Sequence, residues 1–210
     1  MSHFFQYFSS FDWIYFIGTI AFTLSGYLVG VSKRLDVLGI MIVALLTAIG
    51  GGMIRDILIN KMPAIFYNMS TIYTIIIVLI LAWCFKLHQR QQGLMAQVFL
   101  VADSIGLVAF SLAGAQIGLN LELNLFGVTA LGFVTAMGGG VVRDMMVNEV
   151  PFILHEDFYG TVAILMACLL YASDYFGING LILQWGLFVF GVALRLLAHR
   201  HDIRLPLAEK

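Results

Sequence analysis

Gly50-Gly51-Gly52-Met53-Ile54-Arg55-Asp56 is the stretch whose reading decides the fold, because the chain contains it twice. Gly138-Gly139-Gly140-Val141-Val142-Arg143-Asp144 is the second copy. Each copy lies inside a long apolar run and is followed at the same distance by an Asn and a Pro: Asn60 and Pro63, then Asn148 and Pro151. Each glycine in a helix interior costs roughly 1 kcal/mol relative to Ala. An arginine and an aspartate at membrane depth cost more, and such residues face a bundle interior or a watery path. A chain that accepts both penalties twice, at matched positions, uses them. The plain alternative is helix-packing glycines followed by an interfacial ion pair.

Around the motifs the chain is 61% hydrophobic and 11% charged over 210 residues. Apolar runs of membrane-spanning length recur, which assigns an all-α polytopic membrane protein rather than a soluble domain. No basic run marks a nucleic-acid footprint. Met1 to Ser10 lacks the basic region of a cleavable signal peptide, so the first span is expected to be retained. Cys84 and Cys168 sit in apolar runs and are expected to be small buried side chains. His88, His155, His199 and His201 have no ligand spacing. With no nucleotide loop, catalytic triad or paired metal-ligand pattern, neither an enzyme nor a metal or cofactor is expected.

Hydropathy predicts seven spans, at about 11–31, 36–59, 69–87, 94–118, 124–147, 158–174 and 178–198, in one transmembrane domain filling 1–210. Placing the N-terminus outside puts Lys33, Arg34, Lys86, Arg90, Arg195, Arg200, Arg204 and Lys210 on the cytoplasmic side and only Lys61 on the outer side. The positive-inside rule therefore predicts N-out and C-in, with 199–210 as a cytoplasmic tail.

The two copies are offset by 88 residues (138 minus 50), and other residues match at that offset. Gly18 pairs with Gly106, Gly26 with Gly114, Gly39 with Gly127 and Thr47 with Thr135. Spans 1–3 (about 11–87) thus repeat as spans 4–6 (about 94–174), and span 7 stands apart. Three spans is an odd number, so the second copy enters from the opposite side. Inverted repeats of this kind are a transporter signature, with sites where paired interrupted helices meet.

Glycine triplets are expected to break or sharply kink spans 2 and 5, and a break frees carbonyls that can coordinate a cation. In each span the triplet begins roughly 21 Å from the entry point, and the arginine follows at roughly 28 Å. Asp56 and Asp144 leave the helix about 100° away from Arg55 and Arg143, so pairing between repeats is expected over pairing within Arg-Asp. Asp103 lies about nine residues into span 4, and its repeat mate is Tyr15. An intramembrane carboxylate is a functional candidate, and the plain alternative is one bonded to a neighbouring Ser or Tyr. Gly18, Ser25, Gly26, Gly106, Ser111, Ala113 and Gly114 read as small residues for close helix approach.

With these residues in view, the chain resembles the bacterial glycine-transporter-domain family, whose architecture is shared by the trimeric intracellular cation (TRIC) channels and their prokaryotic homologues. The likeness covers about 11–198 and rests on the doubled Gly-Gly-Gly-x-x-Arg-Asp with Asn-x-x-Pro after it. It implies a homotrimer in the bacterial or archaeal cell membrane, with one pore per subunit passing potassium, sodium and other monovalent cations. It also implies that Gly50 to Gly52 and Gly138 to Gly140, with Thr47 and Thr135, form kinks lining the pore. Arg55, Asp56, Arg143, Asp144 and Asp103 would be its polar or gating residues. The animal channels carry a lysine-containing lipid-binding motif in place of this pattern, so their phosphoinositide regulation is not implied. Two other readings stand beside the channel: a secondary carrier of glycine or a similar small zwitterion, and a structural membrane protein whose arginines only anchor it.

Overall fold

The computed structural model describes residues 10–154 and 158–201. Among the described residues seven α-helices follow one another: α1 (Ser10–Ser32), α2 (Val37–Leu58), α3 (Ser70–Cys84), α4 (Gln92–Asn120), α5 (Leu125–Met146), α6 (Tyr159–Tyr175) and α7 (Leu181–Arg200). There is no strand among the described residues. Five helices are long and apolar enough to cross a membrane alone, while α3 with 15 residues and α6 with 17 are shorter apolar helices. Each of the seven spans expected from hydropathy corresponds to one helix.

Local chemistry sets the ends of α2 and α5. The Asp36 side chain accepts from the Gly39 N–H at 2.7 Å, and Asn124 accepts from Gly127 at 2.9 Å. Each side chain satisfies one of the orphan donors of its first turn. At the far ends Asn60 and Asn148 take left-handed φ values of 56° and 58°, conformations that Asn tolerates better than most residues. Around them Lys61 N donates to Asp56 O and Asn60 N to Ile57 O, and Glu149 and Asn148 repeat the pattern on Asp144 and Met145. These are Schellman stops, followed by Pro63 and Pro151, which cannot continue a helix. The Asn and Pro of the repeated motif are therefore helix terminators.

Both glycine triplets lie inside uninterrupted α-helix. The expected break, with freed carbonyls, does not occur in either helix. The reason is packing: α2 and α5 cross at the triplets in backbone contact. A Cβ on Gly51 would strike the Thr135 carbonyl oxygen, and one on Gly139 would strike the Thr47 carbonyl oxygen. A Cβ on Gly138 would lie 2.8 Å from the Gly51 Cα. Without Cβ atoms the backbones approach as small-residue interfaces in membranes do, where dispersion replaces a hydrophobic driving force.

The same economy holds the rest of the core, in which α1, α2, α4 and α5 are the central helices. Phe22 of α1 fills the space over Gly106 of α4, and Ala109 faces Gly18. Thr47 sits against Gly26, and Thr135 against Gly114. Both threonine hydroxyls donate back to the carbonyl four residues earlier, Val43 and Leu131, at 2.6 Å. They are fully buried and serve the helix packing. α3 packs on α1, while α6 and α7 pack on α4 and on each other. Cys84 is exposed on α3 rather than buried, and Cys168 is half-buried.

Candidate functional site

Because Gly51 touches Gly139, the two triplets meet at one level. Arg55 and Arg143 follow four residues later, roughly 6 Å further along helices that run away from the crossing on opposite sides. Both are buried, at 4% and 1% exposure. A guanidinium stays charged, so its burial is tolerated only with partners.

Arg143 has the larger set of partners. Its Nε donates to Asp144 Oδ1 at 2.8 Å, and its Nη1 donates at 2.5 Å to both Asp103 Oδ1 and Ser25 Oγ. The Tyr159 hydroxyl donates to Asp103 Oδ2 at 2.5 Å, and Ser25 donates to Asp103 Oδ1 at 3.1 Å. The Phe99 ring lies over the guanidinium at 5.0 Å, a cation–π distance. Asp103 is thus bonded to a neighbouring Ser and Tyr, and it is also the counter-ion of Arg143. The guanidinium of Arg195 from α7, itself 1% exposed, stacks over Tyr159 at 5.0 Å and Phe152 at 6.0 Å.

Arg55 has fewer partners. Its Nε and Nη2 donate to Asp56 Oδ1 at 2.9 and 2.7 Å, and its Nη1 makes no hydrogen bond. Tyr15 stands at the position that matches Asp103, and it lines the cavity beside Arg55 together with Thr71. The expectation that pairing within Arg-Asp is disfavoured is therefore corrected in both copies. The aspartate is drawn back across the helix end by the loop: Asp56 Oδ2 accepts from Ala64 N at 3.0 Å, and Asp144 Oδ2 from Phe152 N at 2.8 Å. That leaves the other oxygen within reach of the long arginine side chain.

Gly52 and Gly140 are not in the crossing. They face the Nη2 atoms of Arg55 and Arg143, each 3.7 Å from where a Cβ would be, with the hydroxyls of Tyr15 and Tyr159 alongside. Gly50 faces the Gly139 Cα at an ordinary 3.6 Å. Of the residues singled out in the sequence, Arg143, Asp144 and Asp103 come together in one cluster. Arg55 and Asp56 form a second. Gly51, Gly138, Gly139, Thr47 and Thr135 belong to helix packing.

Two cavities approach these clusters from opposite ends of the α1/α4 pair. One, of about 350 Å³, is lined by Asp12, Tyr15 and Thr19 of α1, Gln116 and Asn120 of α4, Thr71 of α3, and Arg55. The other, of about 550 Å³, is lined by Ser32, Arg34, His88, Arg90 and Gln92 and ends at Phe99. Phe99 therefore stands between this second cavity and Arg143. Lys33 and Glu149 form an exposed ion pair that ties the end of α1 to the segment after α5.

Tyr159, Phe99 and Arg195 are not legible as site residues in the sequence. Ser25 reads as a packing residue, and Arg195 as one more cytoplasmic charge. The offset of 88 holds the one usable signal, since it sets Asp103 against Tyr15 and Tyr159 against Thr71.

A bundle of apolar helices, five of them long enough to cross a membrane, around two buried arginine clusters is the make-up of a multi-pass membrane protein. The chain belongs to the glycine transporter family, whose model matches residues 12–89 and 100–175. A membrane protein of Deinococcus radiodurans is 35% identical over 154 residues, covering 72% of this chain and 70% of that protein. The inner membrane protein YadS of Escherichia coli is 28% identical over 197 residues, 92% of this chain and 94% of that protein. Among solved structures, a TRIC cation channel studied for its conductance superposes with a TM-score of 0.81 at 31% identity, covering 95% of this chain and 97% of that one. The trimeric intracellular cation channel orthologue from Rhodobacter sphaeroides superposes at 0.84 with 27% identity, covering 92% and 98%. The solved structures it resembles are thus channels, not enzymes.

Proposed function

We propose that this protein is a passive channel for monovalent cations, permeable to potassium, with one path inside each subunit of a homotrimer. The observation that carries the reading is the pair of cavities entering from opposite ends of α1 and α4, each leading toward one arginine cluster. The TRIC channels among its structural neighbours support the cation as the permeant species. The path runs beside α2 and α5 and skirts their crossing, where backbone contact leaves no room for an ion. Residues 11–87 and 94–174 act as inverted repeats in one transmembrane unit, N-terminus outside and C-terminus cytoplasmic, in the bacterial or archaeal cell membrane. On this orientation the cavity at Arg55 is the outer one and the cavity at Phe99 the inner one. Arg55, Asp56, Asp103, Arg143 and Asp144 set the polarity along the path, and Phe99 is its inner constriction.

Planar-bilayer recording of the purified protein tests this. Unitary potassium currents are expected. Silent bilayers together with saturable glycine uptake into vesicles would replace the channel by a carrier of small zwitterions.

A further inference from the structure

We infer that the cavity at Arg55 is a binding site for a small carboxylate, which completes the Arg55 cluster as Asp103 completes that of Arg143. The Arg-Asp pairs of the two clusters are built alike, and the groups around them differ: Asp103, Tyr159 and Ser25 are matched by Tyr15, Thr71 and Ala113. In each, the arginine Nε donates to the following aspartate, whose second oxygen accepts a loop N–H. In the second cluster Nη1 then donates to Asp103, which also accepts from the hydroxyls of Ser25 and Tyr159. In the first, Tyr15 replaces Asp103, Nη1 has no partner, and the about 350 Å³ cavity lies alongside.

A buried guanidinium nitrogen left without an acceptor is costly, because it has lost water without gaining a bond. Arg55 is 4% exposed and lines the cavity, so the missing acceptor has a place to arrive from. The cavity offers the same donors that surround Asp103: a guanidinium edge plus hydroxyls, here those of Tyr15 and Thr71. A planar carboxylate suits that set, since one oxygen takes Nη1 and the other takes a hydroxyl proton. Asp12 and Asn120, both exposed, mark the mouth, and Gln116 lines the wall. A solute the size of acetate or a small amino acid fits with water around it. No ion gradient is needed for this binding, so it can be measured without any current.

The test uses the intact protein in lipid nanodiscs, titrated with ¹³C-labelled acetate at fixed ionic strength and followed by ligand-observed NMR without any voltage. Saturable binding is expected. Arg55→Gln removes the donor, and Tyr15→Asp supplies an internal carboxylate that fills the site. Each should weaken acetate binding at least tenfold, whereas Arg200→Gln, at the end of α7, should leave it unchanged. Tyr15→Asp should also raise the melting temperature, because the tethered carboxylate satisfies Arg55. Displacement by unlabelled glycine assigns the site to zwitterions. Displacement by propionate alone assigns it to simple carboxylates, and both outcomes support the site. Absence of saturable acetate binding by the unaltered protein overturns it. So does wild-type affinity in either folded variant, and if one variant fails to assemble the other decides.

Discussion

Replacing Gly51 or Gly139 by alanine should destabilise the bundle even though alanine is the better helix former. At either site the new Cβ meets a backbone carbonyl oxygen of the facing helix, Thr135 or Thr47, well inside the roughly 3.5 Å at which non-bonded atoms rest. A carbonyl in a continuous helix cannot rotate aside as a side chain does, so α2 and α5 must part at their centre. Overpacking of this kind costs about 1–3 kcal/mol. The upper end applies here, because parting also loosens Thr47 against Gly26 and Thr135 against Gly114. Helix propensity returns about 1 kcal/mol. The net loss is then about 2 kcal/mol, or roughly 4–8 °C in melting temperature for a chain of this size. Gly186 in α7, where an added methyl would meet open space, is the control. Gly186→Ala should be neutral or slightly stabilising. The double variant Gly51→Ala/Gly139→Ala should lose less than the sum, since one separation relieves both clashes. Thermal unfolding in a single mild detergent reads all four. If Gly51→Ala and Gly139→Ala melt with Gly186→Ala, the backbone crossing is not what the glycines are for.

Phe99→Ala should uncover Arg143 to the cavity that ends at Phe99 and raise unitary conductance or open probability; an unchanged current removes Phe99 from the proposed path. Asp103→Asn leaves Arg143 with one carboxylate and should cost about 3 kcal/mol, toward the lower end for breaking a buried pair because Asp144 remains; thermal unfolding with an intact oligomer checks it. Cysteines placed at Ser2 and Glu209 should react with an impermeant reagent in intact cells only at Ser2, and labelling at Glu209 alone would invert the topology. Native mass analysis in nanodiscs should show three subunits, and a monomer would count against the assembly.

The fold is legible in the sequence because three signals agree: apolar runs of spanning length, their number, and the offset of 88 that aligns the motifs. The site is legible by residue and not by role. A glycine triplet in sequence carries two meanings, a break or a close crossing, and only the partner helix decides between them. Here the partner brings its own triplet, and two Cβ-free surfaces gain more from contact than an open break gains from water. The Arg-Asp pairing escapes the sequence for a related reason. Helix geometry alone separates adjacent side chains, but the aspartate stands at a helix end, where the Ala64 and Phe152 N–H groups reorient it. Nothing local in the sequence announces those donors, which come from eight residues further on.

Arginines beside the proposed cation path raise an objection, since like charge repels. The structure answers it by formal charge. Around the Arg143 cluster stand Arg143 and Arg195, with Asp103 and Asp144. Two positive groups and two carboxylates leave no net charge there. The Arg55 cluster sets Arg55 against Asp56, again one against one. Neither cluster is therefore a positive barrier as a whole, although each presents directional donors. What differs is the partner set: the Arg143 guanidinium bonds Asp103 and Ser25 and is covered by Phe99, while that of Arg55 keeps a nitrogen without an acceptor. Arg55→Lys and Arg143→Lys separate charge from this geometry. Lysine keeps the charge but loses the planar fork of donors. In Arg143→Lys a single ammonium cannot hold Asp103, Asp144 and Ser25 in one plane, so the cluster loosens and conductance changes while the protein still reaches the membrane. In Arg55→Lys only the pair with Asp56 must be rebuilt, so the effect on stability should be the smaller of the two. Equal and unaltered currents from both variants would return these residues to the role of helix anchors.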